Sequence, residues 1–251
     1  MTSPRATARP ANSLSAGNEE RDSPVFSYLP HPSLIDFESH IAAVFFKSGC
    51  NFRCRFCHNA SLVACRRERV SWENLAAVCD RFESNWVDAA VLTGGEPTLA
   101  PDLGRLVRFL KGRGWAVKLD TNGSNPAALA SLLPELDYVA MDVKAGLSRY
   151  PGLTGFARTE LLLSSIRLLR TRARDYEFRT TIVRAVHTDE HMHEIGALIQ
   201  GARRYVLQPF VPRPGLLDPA FESQPRTPLE RLQELQALMR PYAEEIIVRG
   251  A

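Results

Sequence analysis

Short apolar runs rich in β-branched and aromatic residues alternate along this chain with stretches whose apolar positions recur at helical spacing. The runs at residues 41–46, 89–93, 115–119, 138–141, 176–183 and 205–207 are predicted strands. Helices are predicted over 71–83, 102–111, 126–133, 159–171 and 189–200, and a last helix over 228–239 precedes a short strand at 245–248. Most of the strands are apolar at successive positions, so both of their faces are buried, as in a parallel sheet covered by helices. Right-handed crossovers curl such a series. The expected fold is α/β, a partial (β/α)6-type barrel with a mostly parallel sheet and a core over about 41–210. Small and polar residues follow each strand and gather at the C-terminal rim, where barrels of this kind place their sites.

Composition narrows the class. The chain has 251 residues, 45% hydrophobic and 24% charged, enough for one sizeable domain. Residues 1–27 are rich in Ser, Ala, Pro, Asn and Arg, lack aliphatic periodicity and are expected to be a disordered leader before a domain at 28–251. A net charge of +3, with acids interspersed among the bases, points to no nucleic acid. No stretch reaches the roughly 18 apolar residues of a membrane span, and the expected setting is cytoplasmic.

Five cysteines are too few for a disulfide scaffold, and they crowd into one window at Cys50, Cys54, Cys57, Cys65 and Cys79. The first three form C-x3-C-x2-C. Zinc sites usually offer two separated ligand pairs, and no second pair follows, although His58 could complete a structural zinc site. Three thiolates on one loop instead suit an iron-sulfur cluster with one iron left open. Cys79 falls on an apolar helix face and reads as core, and Cys65 reads as an incidental loop thiol.

The triad, Phe56 within it, His58-Asn59 after it and Thr93-Gly-Gly-Glu-Pro97 resemble the radical S-adenosylmethionine superfamily. Within that superfamily, Asp120-Thr-Asn-Gly-Ser124, Met141-Asp-Val-Lys144, Tyr176-Glu-Phe-Arg-Thr-Thr181 and Tyr205-Val-Leu-Gln-Pro209 are similar to activating enzymes of glycyl-radical proteins, above all those of anaerobic ribonucleotide reductase. The resemblance implies a [4Fe-4S] cluster on Cys50, Cys54 and Cys57, with S-adenosylmethionine on the fourth iron. One electron, from a donor such as flavodoxin or ferredoxin, then gives a 5′-deoxyadenosyl radical that takes hydrogen from a glycine of the protein partner. Activation of another glycyl-radical enzyme, such as pyruvate formate-lyase, or action on a small molecule are the alternatives in the same class.

The remaining motifs supply candidate cofactor contacts. Gly94 and Gly95 let a ligand approach the backbone, and Glu96 could accept from its ammonium group. Asp120, Thr121 and Asp142 end neighbouring strands, and the resemblance implies a monovalent cation there; Asp120 and Asn122 could equally make a turn. Lys144 stands out because only four of 31 basic residues are lysine, and it could bind a carboxylate as a point charge. Arg179 needs an anionic partner if it points inward. Phe56 could stack on adenine or pack under its loop. Asn59 could line the pocket or cap a turn, and His187, His191 and His193 read as loop and helix-start residues. Glu38-Ser39 and the segment 46–49 depart from the family pattern.

Overall fold

A computed structural model describes residues 27–64 and 70–250. The expected leader up to residue 26, Cys65 and the arginine pair at 66–67 lie outside the described residues. Ser27, the last residue of the expected leader, belongs to a strand.

Among the described residues, eight strands form one sheet in chain order. A two-residue edge strand, β1 (Ser27–Tyr28), runs antiparallel to β2 (Ala42–Lys47). Each following strand is parallel to its predecessor: β3 (Ala89–Gly94), β4 (Ala116–Thr121), β5 (Tyr138–Asp142), β6 (Tyr176–Ile182), β7 (Ala202–Pro209) and β8 (Ala243–Val248). The sheet stays open, since β1 and β8 are its two edges. It curls nonetheless: residues of β4 to β8 and of the loop before β2 border one cavity on its concave face.

Local chemistry explains the helices. The Ser71 side chain accepts from the Asn74 N–H and starts the helix Trp72–Glu83, which buries Leu75, Val78, Cys79 and Phe82 at i, i+3, i+4 and i+7. Thr188 caps Asp189–Ile199 in the same way, with Asp189 and Glu190 in the first turn. The main core lies between these helices and the convex side of the sheet, and takes in Phe45, Leu92, Leu119, Met141, Phe178 and Leu207. A smaller apolar cluster of Phe37, Ala42, Val44, Ala89 and Val91 covers the β2–β3 part of the concave face. The rest of that face carries charge, which decides where ligands fit.

Candidate functional site

The cysteine loop leaves the end of β2 and is tied down on both sides. The Gly49 and Cys50 N–H groups donate to Leu62 and Val63 of the short helix Ala60–Val63, at 2.7 and 3.2 Å. Arg53 and Arg55 N–H donate to Thr154 and Leu153, at 2.6 and 3.3 Å, in the helix Tyr150–Thr154. Sequence reasoning missed that second helix. Its residues, Tyr-Pro-Gly-Leu-Thr, carry no helical apolar spacing, yet Pro suits the first helical turn and Gly155 ends the helix at φ 71°.

Cys50, Cys54 and Cys57 line one cavity of about 490 Å3, together with Phe56, Gly94, Gly95, Asp120, Thr121, Asn122, Asp142, Lys144 and Arg179. Twelve of the thirteen residues expected at the site therefore share a cavity. Glu96 is the exception. It is 1% exposed, and its carboxylate accepts from the Thr98 N–H, the Thr98 and Thr121 hydroxyls and the Asn122 N–H, the last at 2.6 Å. Its oxygens are engaged by its own chain, so it ties the turn after β3 to the turn after β4 and does not face the cavity. Burial pushes its carboxyl up against the pull of those bonds.

Gly94 and Gly95 are required by backbone crowding. Gly94 has φ 119°, and an added Cβ would lie 2.3 Å from the Lys47 carbonyl oxygen; at Gly95 it would lie 2.2 Å from that of Gly49. The β3 turn thus presses on the cysteine loop. Asn59 joins the two as well, donating to the Gly94 oxygen at 3.2 Å; it stands at the N-cap of Ala60–Val63, but its side chain makes no cap bond. Phe56 is buried against Phe210 and Phe221 while bordering the cavity. His58 stacks on Phe210 and places Nε2 2.8 Å from the Val211 oxygen.

Across from the thiols, Arg179 is turned inward. Its Nε donates to Asp142 at 2.7 Å and its guanidinium reaches Asp120 at 3.2 Å, because the parallel register sets Arg179 opposite Asp142. The Lys144 ammonium holds the other Asp142 oxygen at 3.0 Å. Burial alone would push the Asp142 carboxyl up, but Arg179 and Lys144 outweigh it and hold it well below the usual carboxylate range. Asp142 in turn keeps Lys144 charged despite burial. The Lys144 backbone is clamped by two residues that sequence reasoning did not connect to the site: its N–H donates to the Tyr150 hydroxyl at 2.8 Å, and its carbonyl accepts from His187 Nε2 at 3.0 Å. His187, expected as a loop residue, is 1% exposed, with Nδ1 accepting from the Val183 N–H. Burial lowers it to about 4, so it stays neutral.

The donor set, three thiols on one cavity, suits the iron-sulfur cluster that the cysteine spacing suggests. Burial pushes all three thiols up, Cys54 to about 12. Thiols of this kind ionise only when a strongly positive group binds them. The three thiols line one common cavity, with no carboxylate or imidazole needed to complete the set. Asn122 Nδ2 lies 3.8 Å from Cys50 Sγ and the Phe52 N–H 3.4 Å from it, donors suited to a cluster thiolate.

The profile of the Radical SAM superfamily matches residues 44–200. The chain belongs to that superfamily. It is 30% identical over 225 residues to a protein of Methanocaldococcus jannaschii provisionally named a glycyl-radical enzyme activating enzyme, covering 86% of this chain and 92% of that one. Its fold resembles SuiB of Streptococcus suis bound to the precursor peptide SuiA, with a TM-score of 0.67 at 14% identity over 83% of this chain and 48% of SuiB. It also resembles a domain of a pyruvate-formate lyase-activating enzyme from Bacteroides vulgatus, with a TM-score of 0.53 at 15% identity over 64% of this chain and 99% of that domain. As a radical SAM enzyme, the chain uses a [4Fe-4S] cluster and S-adenosylmethionine.

Proposed function

We propose that this chain generates a glycyl radical on a partner protein, and that the partner is an anaerobic ribonucleotide reductase. The observation that carries the reading is the single cavity with three thiols on one wall and the Asp142–Lys144–Arg179 cluster on the other. Similarity along most of the chain to a provisionally named glycyl-radical enzyme activating enzyme adds support. When bound, the cluster and S-adenosylmethionine supply, with one electron from a donor such as flavodoxin or ferredoxin, a 5′-deoxyadenosyl radical that takes a hydrogen atom from a glycine Cα.

The chain's own residues have distinct roles in this reading. Cys50, Cys54 and Cys57 hold the cluster. Lys144 and Arg179 bind the carboxylate of S-adenosylmethionine, with Asp120 and Asp142 keeping both bases charged and aimed. Gly94 and Gly95 admit the ligand against the backbone, Phe56 forms part of the apolar wall, and Thr121 and Asn122 border the thiols. Asp120 Oδ1 is buried without a hydrogen-bond partner, 3.8 Å from the Lys118 ammonium, and offers an oxygen to a monovalent cation. Glu96 and His187 position these groups from behind. Among the described residues no helix is long and apolar enough to cross a membrane, and we place this chemistry in the reducing cytoplasm.

Purification under argon tests the reading. The expected protein is brown, its reduced cluster spectrum shifts when S-adenosylmethionine is added, and a glycyl radical appears on the reductase by electron paramagnetic resonance. A colourless protein retaining one zinc overturns it. Cofactor cleavage with no radical on any glycyl-radical enzyme points instead to a small-molecule substrate.

A further inference from the structure

The concave face holds a second and larger cavity, of about 740 Å3, toward the N-terminal ends of the strands. One wall is the loop at residues 35–40 and the opposite wall is β8, so it fills the gap where the sheet fails to close. Asp36 borders both cavities, and the two are neighbours along the same strands.

Its charges satisfy one another. Glu177 accepts from both Arg249 terminal nitrogens at 2.8 and 2.9 Å and from the Tyr138 hydroxyl at 2.9 Å. Arg204 pairs with Asp175 at 3.0 Å and with Glu245 at 3.2 Å. A strongly charged ligand would have to break such pairs. A neutral chain rich in hydrogen-bonding groups would not, and β8 offers such a chain a place. The Arg249 N–H donates to the Leu207 oxygen at 3.0 Å, so by strand alternation Glu245 and Ile247 face β7 while Glu244, Ile246 and Val248 turn their N–H and C=O outward. The Ile246 oxygen accepts from the Gln236 side chain at 2.8 Å, and among the described residues no strand pairs with this edge. The edge also leads to the reaction site: Val248 pairs with Leu207, one residue before Gln208, which lines the cysteine cavity.

We infer that the glycine-bearing segment of the protein substrate docks here in extended form, adding to β8 as a further strand and running up to the cysteine cavity. This rests on the glycyl-radical reading above. Strand addition gives affinity through main-chain bonds and needs no net charge. At about 3.3 Å per residue, six residues reach roughly 20 Å along the edge, and a glycine at the upper end presents its Cα with no side chain of its own.

Glu244→Pro and Ile246→Pro each remove one outward N–H while leaving the β7 ladder intact. The probe is a purified anaerobic ribonucleotide reductase. Both variants are expected to form 5′-deoxyadenosine without the reductase at the wild-type rate, but to need about tenfold more reductase for half-maximal glycyl-radical formation, a difference of about 1.4 kcal/mol. In the wild-type chain, which needs no substitution to be tested, the reductase is expected to slow amide exchange at Glu244, Ile246 and Val248 and not at Glu245 or Ile247. An unchanged reductase requirement in both variants overturns the docking edge, as does slow exchange at those three amides in the free chain or no added protection in the complex. A wild-type chain that cleaves S-adenosylmethionine yet forms no radical on the reductase overturns the glycyl-radical reading itself.

Discussion

The two cavities of the concave face are built from the same strands, two residues apart, and treat charge in opposite ways. On β6, Glu177 points into the lower cavity and Arg179 borders the upper one. Glu177 is 0% exposed and closed off by Arg249 and Tyr138, whereas Arg179 shares two carboxylates with Lys144 beside an open space. The lower charges are spent on each other and shape a neutral surface. The upper ones are held in readiness next to three thiols. What separates the cofactor site from its neighbour is thus where its charges stand, since the upper cavity is lined by fewer charged groups than the lower one and sets them beside three thiols.

The largest expected effect is at the upper cavity. Cys54→Ala is expected to abolish cluster binding and the signal that depends on S-adenosylmethionine, read as iron content and electron paramagnetic resonance; retained iron would break the contrast at once. At the lower cavity, Arg249→Met leaves Glu177 buried without the cation that pairs with it, only the Tyr138 hydroxyl still donating, and is expected to cost about 3–5 kcal/mol in denaturant unfolding. Burial pushes the Glu177 carboxyl up, and the Arg249 bonds with the Lys118 field outweigh it, leaving it below its ordinary value. A depressed folded value stabilises the protein above the unfolded one and loses that contribution as pH falls. The Arg249→Met penalty should therefore shrink toward acid, and Glu177→Gln in the same chain should recover most of it. A penalty independent of pH would show that the pair contributes packing and not charge.

His187 supports the upper region by holding the Lys144 carbonyl. Its folded value is lowered by burial from 6.5 to about 4. The unfolded chain therefore binds the extra proton first, and roughly 2–3 kcal/mol of stability is lost as pH falls through that window. In His187→Gln the stability curve between pH 6.5 and 4 should flatten, and an unchanged slope would assign the loss to other groups. Lys144→Ala is expected to weaken S-adenosylmethionine binding by about 1.5–3 kcal/mol with iron content unchanged, by titration; unaltered affinity would remove Lys144 from the site.

Much of this was legible because strand ends and helix starts carry their own chemistry. Ser71 capping a run with Leu75, Val78, Cys79 and Phe82 announces its helix within twelve residues. The cysteine spacing and the motifs after each strand likewise needed no long-range information. What stayed hidden depends on contacts between distant segments. Arg179 could point either way until the β5–β6 register set it against Asp142. Glu96 stands in a motif that suggests a ligand contact, but the approach of Thr121 and Asn122, 25 and 26 residues away, captures its oxygens first. The loop support from Tyr150–Thr154 and the clamp from His187 on Lys144, 43 residues apart, leave no local pattern at all.

The smallest effect tests whether a buried thiol is enough to make a ligand. Cys79 and Cys54 are both pushed up to about 12 by burial, and titration alone does not tell them apart. Their surroundings do. Cys79 is 0% exposed within the main core on the inner face of Trp72–Glu83. Cys54 shares a cavity with two more thiols and Lys144. Cys79→Ala removes one sulfur from a packed core and is expected to cost about 1 kcal/mol, with iron content, the S-adenosylmethionine-dependent signal and its affinity all unchanged. Iron loss matching that of Cys54→Ala would mean that the core thiol reaches the cluster, and the division of the cysteines by shared cavity would fail. Unchanged iron with a small loss of stability would tie ligand function to the common space the three thiols face.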